Sequence, residues 1–275
     1  MNHLKIAALA LIAVLAAGCS SAGTGKPGLS LKTHSANAIS GGSASCSSRA
    51  EKGECGPYSD AKITDTTSDT SVGNDMWSPI SGASQTLHVT NPGDWSVTAN
   101  MPAGNTAVVS YPSLGANYGV GSGAEGIPLS SFQSMYSSFS ETMNANSQTS
   151  AWAAYDIWLP SASKKISNEV MIQHDFANNG ACTAVASATF GGSGGVPVQK
   201  WNLCQYGSEL IWKLTGGNEQ SGSVDILSML NWLVSHRYLP RDSTLSLIGY
   251  GWEICSTGGQ NETFQVKSFS ITSTR

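Results

Sequence analysis

Three acidic residues, Asp156, Glu169 and Glu253, lie in segments that are otherwise apolar and aromatic. An acidic side chain is uncommon in such surroundings, because an unpaired carboxylate loses hydration when apolar neighbours cover it. Two carboxyl groups with different pKa values can carry out acid–base and nucleophilic chemistry on one substrate. These three positions are therefore the first candidates for a reactive site.

Strand geometry predicts where these carboxylates point, because successive side chains face opposite sides of a sheet. Asp156 then shares a face with Trp158, and Glu169 shares one with Met171. Glu253 lies on the face of its own segment that carries the glycines, opposite the large apolar residues. If the three strands belong to one sheet, the carboxylates converge on one surface.

Glycoside hydrolysis needs this arrangement. One carboxylic acid protonates the leaving oxygen, and a second carboxylate attacks the anomeric carbon from the opposite face of the sugar. An apolar neighbourhood or a nearby negative charge raises the pKa of the acid and keeps it protonated near neutral pH. For each residue alone, the alternative is a solvated strand glutamate, or an Asp156 that caps a turn or hydrogen-bonds to backbone.

The elements that would position these residues are short strands broken by Gly, Pro and Asn, at intervals typical of a β-sandwich. Helical spacing of apolar residues occurs at 223–239, where Ser223 or Asp225 would begin the helix and Pro240 would follow it. We expect this helix to cover the outer face of a sheet. The predicted strands are 85–89, 95–100, 107–111, 149–159, 168–174, 183–190, 199–205, 209–214, 245–255 and 264–273.

The first residues are typical of an export signal. Lys5 precedes an apolar run at 6–17, which is shorter than the ~20 residues that span a bilayer. Residues 15–19, Leu-Ala-Ala-Gly-Cys, resemble a bacterial lipobox in which Cys19 is acylated; an ordinary cleaved signal is the alternative. We therefore predict a signal peptide at 1–18, a Ser/Gly-rich tether at 19–60 and one folded domain at 61–275. The domain would be lipid-anchored at the outer face of a bacterial membrane or released from the cell.

Composition restricts the partner. Charged residues make up 12% of the chain, the formal net charge is -4, and the 14 Lys and Arg residues are scattered. Nucleic-acid binding needs a basic face, so this composition argues against it. Low charge with 30 Gly and 8 Trp residues is typical of an exported β-protein with a neutral, hydroxyl-rich ligand.

The chain contains 6 cysteines, and an exported protein meets an oxidising compartment in which disulfides form. Cys46 with Cys55 and Cys182 with Cys204 are candidate pairs. Cys255 is then left over, unless it pairs with Cys182 or Cys204. The spacing does not resemble a zinc site, and we expect neither a metal nor a cofactor.

Several segments resemble glycoside hydrolase family 12. Residues 168–172, Asn-Glu-Val-Met-Ile, are similar to the nucleophile strand of that family, and residues 251–258, Gly-Trp-Glu-Ile-Cys-Ser-Thr-Gly, to its acid/base strand. The resemblance covers about residues 70–275. Further landmarks match in the same order at 74–77, 95–98, 102–104, 110–112, 155–158 and 264–270.

The resemblance implies a concanavalin-like β-jelly roll of two curved antiparallel sheets. It also implies retaining, endo-acting hydrolysis of a β-glucan such as cellulose, mixed-linkage glucan or xyloglucan. By position, Glu169 would be the nucleophile, Glu253 the general acid/base, and Asp156 the residue that holds Glu169. We expect a monomer whose polysaccharide substrate is bound by Asn74, Trp77, Trp158, Met171 and Gln173.

Gln173 departs from the family, which has Trp at this position. Loss of a stacking face costs on the order of 1 kcal/mol or more of contact, so we expect an altered substrate preference. His174 and Asp175 follow, but adjacent strand residues face opposite sides, and we do not expect a metal site or a proton relay. Residues 182–204 also fit the family less well. The competing interpretation is a non-catalytic carbohydrate-binding lipoprotein on the same fold.

Overall fold

The computed structural model describes residues 44–48, 54–55, 69–76, 80–91, 93–118, 126–161 and 167–275. Most of these residues lie in strands, which form two large curved sheets accompanied by one α-helix. This is the β-jelly roll expected from the sequence. In the part of the chain that the structure describes, every helix is too short or too polar to cross a bilayer.

The helices are α1 (Ile226–Ser235) and a short 3-10 helix (Leu129–Ser131). The strands, in chain order, are β1 (Ala44–Ser48), β2 (Glu54–Cys55), β3 (Asp69–Gly73), β4 (Ser84–Asn91), β5 (Asp94–Asn100), β6 (Ser113–Asn117), β7 (Ile127–Pro128), β8 (Ser134–Met143), β9 (Thr149–Pro160), β10 (Ser167–Ala177), β11 (Ala186–Phe190), β12 (Gln199–Tyr206), β13 (Glu209–Leu214), β14 (Ser221–Asp225), β15 (Thr244–Leu245), β16 (Leu247–Thr257) and β17 (Asn261–Thr274).

The smaller sheet has the order β1-β4-β5-β17-β8-β14, and the larger has the order β11-β12-β13-β10-β9-β16-β6-β3-β2. Neighbouring strands of the two sheets pair antiparallel, except β10 and β13, which run parallel. β7 and β15 form a separate ribbon. The strands that carry the candidate carboxylates, β9, β10 and β16, are therefore adjacent at the centre of the larger sheet.

The main hydrophobic core lies between the two sheets. Tyr155, Ile172 and Trp252 enter it from β9, β10 and β16, and Phe139 enters it from β8 of the smaller sheet. Burying a large apolar side chain contributes about 1.5–3 kcal/mol, so these residues fix which face of each strand turns inward. The opposite face of the larger sheet is left for a site.

Asp225 determines where α1 begins. Its carboxylate accepts hydrogen bonds from Ser228 N at 3.1 Å and Ser228 Oγ at 2.8 Å, which satisfies an N–H group left free by the first turn. Ser223, the other predicted start, belongs to β14. Trp232 packs edge-on against Trp212 of β13, which is a core residue. The helix α1 therefore packs on the side of the larger sheet that faces the core.

Some strand boundaries differ from prediction. The sequence pattern does not predict β8, because serines separate the inward residues Met135, Phe139 and Met143. Residues 107–111 form only isolated bridges at Ser110, and the regular strand begins at Ser113. β1 and β2 lie within the predicted tether and pair at the sheet edges, where backbone hydrogen bonding needs no large side chain. The sheets thus begin before residue 61.

Candidate active site

The surface of β9, β10 and β16 that points away from the core, here called the concave face, carries the candidate carboxylates. Trp152, Ala154, Met171 and Cys255 form a second apolar cluster on this face. They alternate with core residues along their strands, as the period of two requires. The predicted faces of all three strands are confirmed.

Strand pairing places the carboxylates on three neighbouring strands. Glu169 of β10 pairs with Trp158 of β9. Glu253 of β16 pairs with Trp152, nearer the start of β9. Asp156 lies on β9 between these two levels. The two glutamates therefore flank β9 from opposite sides and opposite ends, with Asp156 between them.

Tyr111 lies among these carboxylates. Its hydroxyl group donates a hydrogen bond to the Ala154 carbonyl oxygen of β9 at 3.0 Å. Burial raises the pKa of the Tyr111 phenol well above its usual value, and the negative charges of Asp156, Glu253 and Glu169 raise it further, in that order. All three carboxylates are thus within electrostatic reach of one hydroxyl group.

Two glycines of β16 make room for this tyrosine. A Cβ atom on Gly249 would lie 3.2 Å from the Tyr111 ring, and one on Gly251 would lie 2.0 Å from the Pro112 carbonyl oxygen. Tyr111 was not predicted as a site residue. The available signal was the Gly-Tyr-Gly spacing just before Glu253, because glycine within a strand marks a close approach of other atoms.

The three carboxylates differ in exposure. Asp156 is 5% exposed and Glu253 is 1% exposed, whereas Glu169 is partly exposed. Trp158 is also partly exposed, and its indole N–H donates to Asp156 Oδ2 at 3.2 Å. Glu169 is therefore the most accessible of the three, and Trp158 beside it holds Asp156 in place.

Asn74 does not reach the concave face, in contrast to the expected role in substrate binding. It is fully buried, and its Oδ1 accepts a hydrogen bond at 2.8 Å from Gln85 Nε2 of the smaller sheet. The neighbouring Asp75 lies near Tyr111 instead. Its carbonyl oxygen accepts from Tyr111 N at 2.9 Å, and its charge raises the pKa of the Tyr111 phenol. Trp77 lies outside the described residues.

Met171 and Gln173 lie on the concave face but are covered, in contrast to their expected contact with substrate. They are 0% and 3% exposed. Asn179, in the segment that follows β10, donates from Nδ2 to Gln173 Oε1 at 3.1 Å. The amide that occupies the family's tryptophan position therefore binds this segment of the chain.

Cys182 and Cys204 form a disulfide, with a Cα–Cα distance of 6.0 Å, which joins the same segment to β12. Cys255 is also disulfide-bonded, so the prediction that it is left over is wrong. Its partner is neither Cys182 nor Cys204, because these pair with each other. The side chains of Cys46 and Cys55 lie outside the described residues.

Glu209 is a further carboxylate beside Glu169, and it was not predicted as a site residue. β13 runs parallel to β10, and Glu209 is the register partner of Glu169. Adjacent strands lie about 4.8 Å apart, so the two side chains are neighbours on one face. A parallel pairing joins strands that are distant in sequence, which is why no local pattern reveals it.

His174 and Asp175 both point into the core, so the prediction that they face opposite sides is wrong. The register of β10 against β9 shifts between Gln173 and Asp175, and this β-bulge adds one residue that turns both side chains inward. His174 stacks on Phe139 with ring centroids 3.9 Å apart, and its Nδ1 lies 2.9 Å from the Glu219 carbonyl oxygen. Burial lowers the pKa of His174 to about 4.

Asp175 forms a second carboxylate pair with Glu141 of β8, which is 1% exposed. Burial first, and the charge of Asp175 second, raise the pKa of Glu141 to about 9. Within the described residues the Glu141 carboxylate oxygens form no well-aligned hydrogen bond, so the two carboxyl groups interact through proximity and charge. Among the residues that the structure describes, no group of three or more His, Cys, Asp or Glu side chains is arranged to hold a metal ion.

The fold and site define a class, a two-sheet β-jelly roll with carboxylates on its concave face, and solved family 12 glycoside hydrolases share this fold. The family 12 xyloglucanase from Bacillus licheniformis in complex with ligand has a TM-score of 0.65 and 23% identity, over 84% of this chain and 100% of that chain. The xyloglucanase domain of NopAA, a type three effector from Sinorhizobium fredii in complex with cellobiose, has a TM-score of 0.61 and 25% identity, over 84% of this chain and 98% of that chain. The endoglucanase cel12A from Rhodothermus marinus has a TM-score of 0.62 and 18% identity, over 84% of this chain and 99% of that chain. Neither a protein-family model nor a curated protein sequence matches this chain.

Proposed function

We propose that this chain is a retaining, endo-acting hydrolase of β-glucan. The observation that carries the proposal is that Asp156, Glu169 and Glu253 lie on one face of three adjacent strands, where the charges of all three raise the pKa of the Tyr111 phenol. The fold is shared with xyloglucanases and endoglucanases, which supports the reaction class. The xyloglucanase domain of NopAA is in complex with cellobiose, which supports a β-glucan as substrate.

In the proposed reaction, Glu253 gives its proton to the leaving glycosidic oxygen while Glu169 attacks the anomeric carbon. The products of this step are a free sugar end and a glycosyl ester of Glu169. Glu253, now a carboxylate, takes a proton from water, and the water oxygen displaces Glu169 from the same carbon. Asp156, held by Trp158, would orient the Glu169 carboxylate.

Release of reducing ends tests the proposal. The purified protein is incubated with soluble mixed-linkage β-glucan, cellulose derivative, xyloglucan and mannan, and new reducing ends are counted. Release from at least one β-glucan supports the proposal. No release from any of them contradicts it.

Carbohydrate binding without hydrolysis is the second candidate function. The 1% exposure of Glu253 favours it, because a general acid has to come within hydrogen-bond distance of the glycosidic oxygen. Retention of β-glucan in a pull-down, with no reducing ends released, would establish this function.

A crystal structure with a bound oligosaccharide would test the retaining mechanism. Retaining enzymes hold the two carboxyl groups ~5–5.5 Å apart, and inverting ones hold them ~6.5–9.5 Å apart.

We also propose that the protein is an exported monomer, anchored by acylated Cys19 at the outer face of a bacterial membrane. The support is the lipobox-like sequence at 15–19 after a short apolar run. Metabolic labelling with a fatty acid should mark the wild-type chain and not Cys19→Ala. An unlabelled wild-type chain in the medium would establish an ordinary cleaved signal, and size-exclusion chromatography would test the monomer.

A further inference from the structure

Residues 178–185, here called the strap, connect β10 to β11 and fold back over the concave face. The disulfide of Cys182 binds the strap covalently to β12. Lys213 Nζ of β13 donates to the Gly180 carbonyl oxygen at 2.9 Å. Asn179 donates to Gln173 of β10. The strap is therefore attached to three different strands of the larger sheet.

The first residue of the strap is also fixed. Asn178 has a positive φ of 47°, a conformation that Asn adopts more readily than most residues. Its side-chain Nδ2 donates to the Ser147 carbonyl oxygen at 3.0 Å and to the Thr149 carbonyl oxygen at 2.7 Å. These bonds set the direction in which the chain turns after β10.

The concave face is closed on the side of the strap. Cys204 and Ile211 are 0% and 7% exposed, and Phe176 and Cys182 pack against the cluster that they form. The Lys213 ammonium group lies 4.6 Å from the centroid of the Phe176 ring, and burial lowers its pKa. A sugar could occupy this side only by displacing a cross-linked segment together with the partly buried Lys213 ammonium group.

The other side of the same strands is more open. Glu169, its neighbour Glu209 and Trp158 are all partly exposed. The accessible part of the concave face therefore includes Glu169, Glu209 and Trp158, and the strap borders it at Gln173.

We propose that the strap is a fixed wall that restricts the site to unbranched β-glucan. This inference rests on the proposed function and specifies its substrate class. A side branch on the sugar unit nearest Gln173 needs free volume beside the main chain, and the strap fills that volume. The inference also accounts for Gln173 itself, because a tryptophan there could stack on a sugar but could not accept the hydrogen bond from Asn179.

The test compares kcat/KM on xyloglucan, which is branched, with kcat/KM on unbranched mixed-linkage β-glucan. The wild type should prefer the unbranched glucan. Loosening the strap with the double substitution Cys182→Ser and Cys204→Ser should raise the ratio of xyloglucan to unbranched glucan by about tenfold, equivalent to ~1.4 kcal/mol. Lys213→Met, which keeps most of the side-chain volume, should raise the ratio less.

Lys200→Met is the matched control, because this lysine lies exposed on β12 away from the strap contacts. Its ratio should equal that of the wild type. If the double variant does not fold, Lys213→Met and Asn179→Ala provide the same measurement. An unchanged or lower ratio in the strap variants overturns the inference, as does a wild type that prefers xyloglucan; a wild type that cleaves neither glucan overturns the proposed function instead.

Discussion

A group of carboxylates lies at each of the two faces of the larger sheet, and the groups differ in what surrounds them. On the concave face, Glu169 is partly exposed and lies next to Trp158, an arrangement that leaves room for a ligand. On the core face, Asp175 lies near Glu141 between the two sheets, next to the stacked rings of His174 and Phe139. Both groups lie among buried apolar side chains of the fold, yet only the concave group includes a partly exposed carboxylate.

This difference shows that apolar context alone does not identify a reactive carboxylate. Asp175 lies only six positions after Glu169 on the same strand, and strict alternation would place both on the concave face. The β-bulge after Gln173 reverses that assignment and sends Asp175 into the core. One inserted residue therefore separates a structural carboxylate from a candidate catalytic one.

The largest expected effect is on the concave face. Glu169→Gln removes the proposed nucleophile with little change in volume, so turnover should fall by roughly 10³-fold or more while the melting temperature stays the same. The assay is reducing-end release together with thermal unfolding. Glu209→Gln is the matched control, since it changes the neighbouring carboxylate and should reduce activity far less. Full activity in Glu169→Gln would refute the assignment.

Glu253→Ala should follow in size. Loss of a general acid/base typically costs about 10²–10⁴ in rate. Azide or another small nucleophile should restore part of the activity, because it replaces the water that Glu253 would activate and needs no general base. The glycosyl azide product can be detected directly by mass spectrometry. If azide leaves the rate unchanged and no azide product forms, the acid/base role belongs to another residue.

On the core face, the expected effect is on stability. Folded Glu141 keeps its proton up to a pH of about 9, whereas the unfolded chain loses it near its ordinary pKa of 4.5. Between these values the folded state binds the extra proton, so this group makes the protein less stable as pH rises. Glu141→Gln should remove that slope and raise the unfolding free energy at pH 8 by roughly 1–4 kcal/mol, with activity unchanged.

Urea unfolding at pH 7 and pH 9 measures this effect. His174 does not contribute to this difference. Its pKa is lowered in the folded protein, so His174 reduces the stability of the protein only as pH falls below the ordinary pKa of 6.5. The comparison between the two faces fails if Glu141→Gln shows the same pH slope as the wild type, since Glu141 would then titrate normally.

The smallest expected effect distinguishes the two faces at the level of a single hydroxyl group. Tyr111→Phe removes the bond to Ala154 on the concave face and should cost about 1 kcal/mol of stability, with a fall in kcat/KM of less than about tenfold. Tyr155→Phe is the matched control, because its hydroxyl group donates to Ser137 Oγ at 2.9 Å on the core face. Its stability should fall by a similar amount without a loss of kcat/KM. Equal activities of the two variants would exclude a role for Tyr111 in the site.

The strand faces that were predicted correctly depend on local repetition. Alternation in β9, β10 and β16 is enough to place Asp156, Glu169 and Glu253 on one face, because a one-residue error would expose the large side chains opposite them. Tyr111 and Glu209 were not predicted, because they enter the site from segments that only tertiary pairing brings near. Gln173 lies on the predicted face, but its amide binds Asn179 of the strap, and no local pattern contains that contact.

The period of apolar residues and the local capping signals predicted the all-β architecture, a helix beginning at Ser223 or Asp225, and the side of each central strand. Which polar groups meet depends on the tertiary structure, which pairs Asn74 with Gln85 between the sheets, Asp175 with Glu141 in the core, and the strap with β12. These contacts join residues far apart in the chain, and a bulge or a disulfide can redirect them without altering the surrounding pattern.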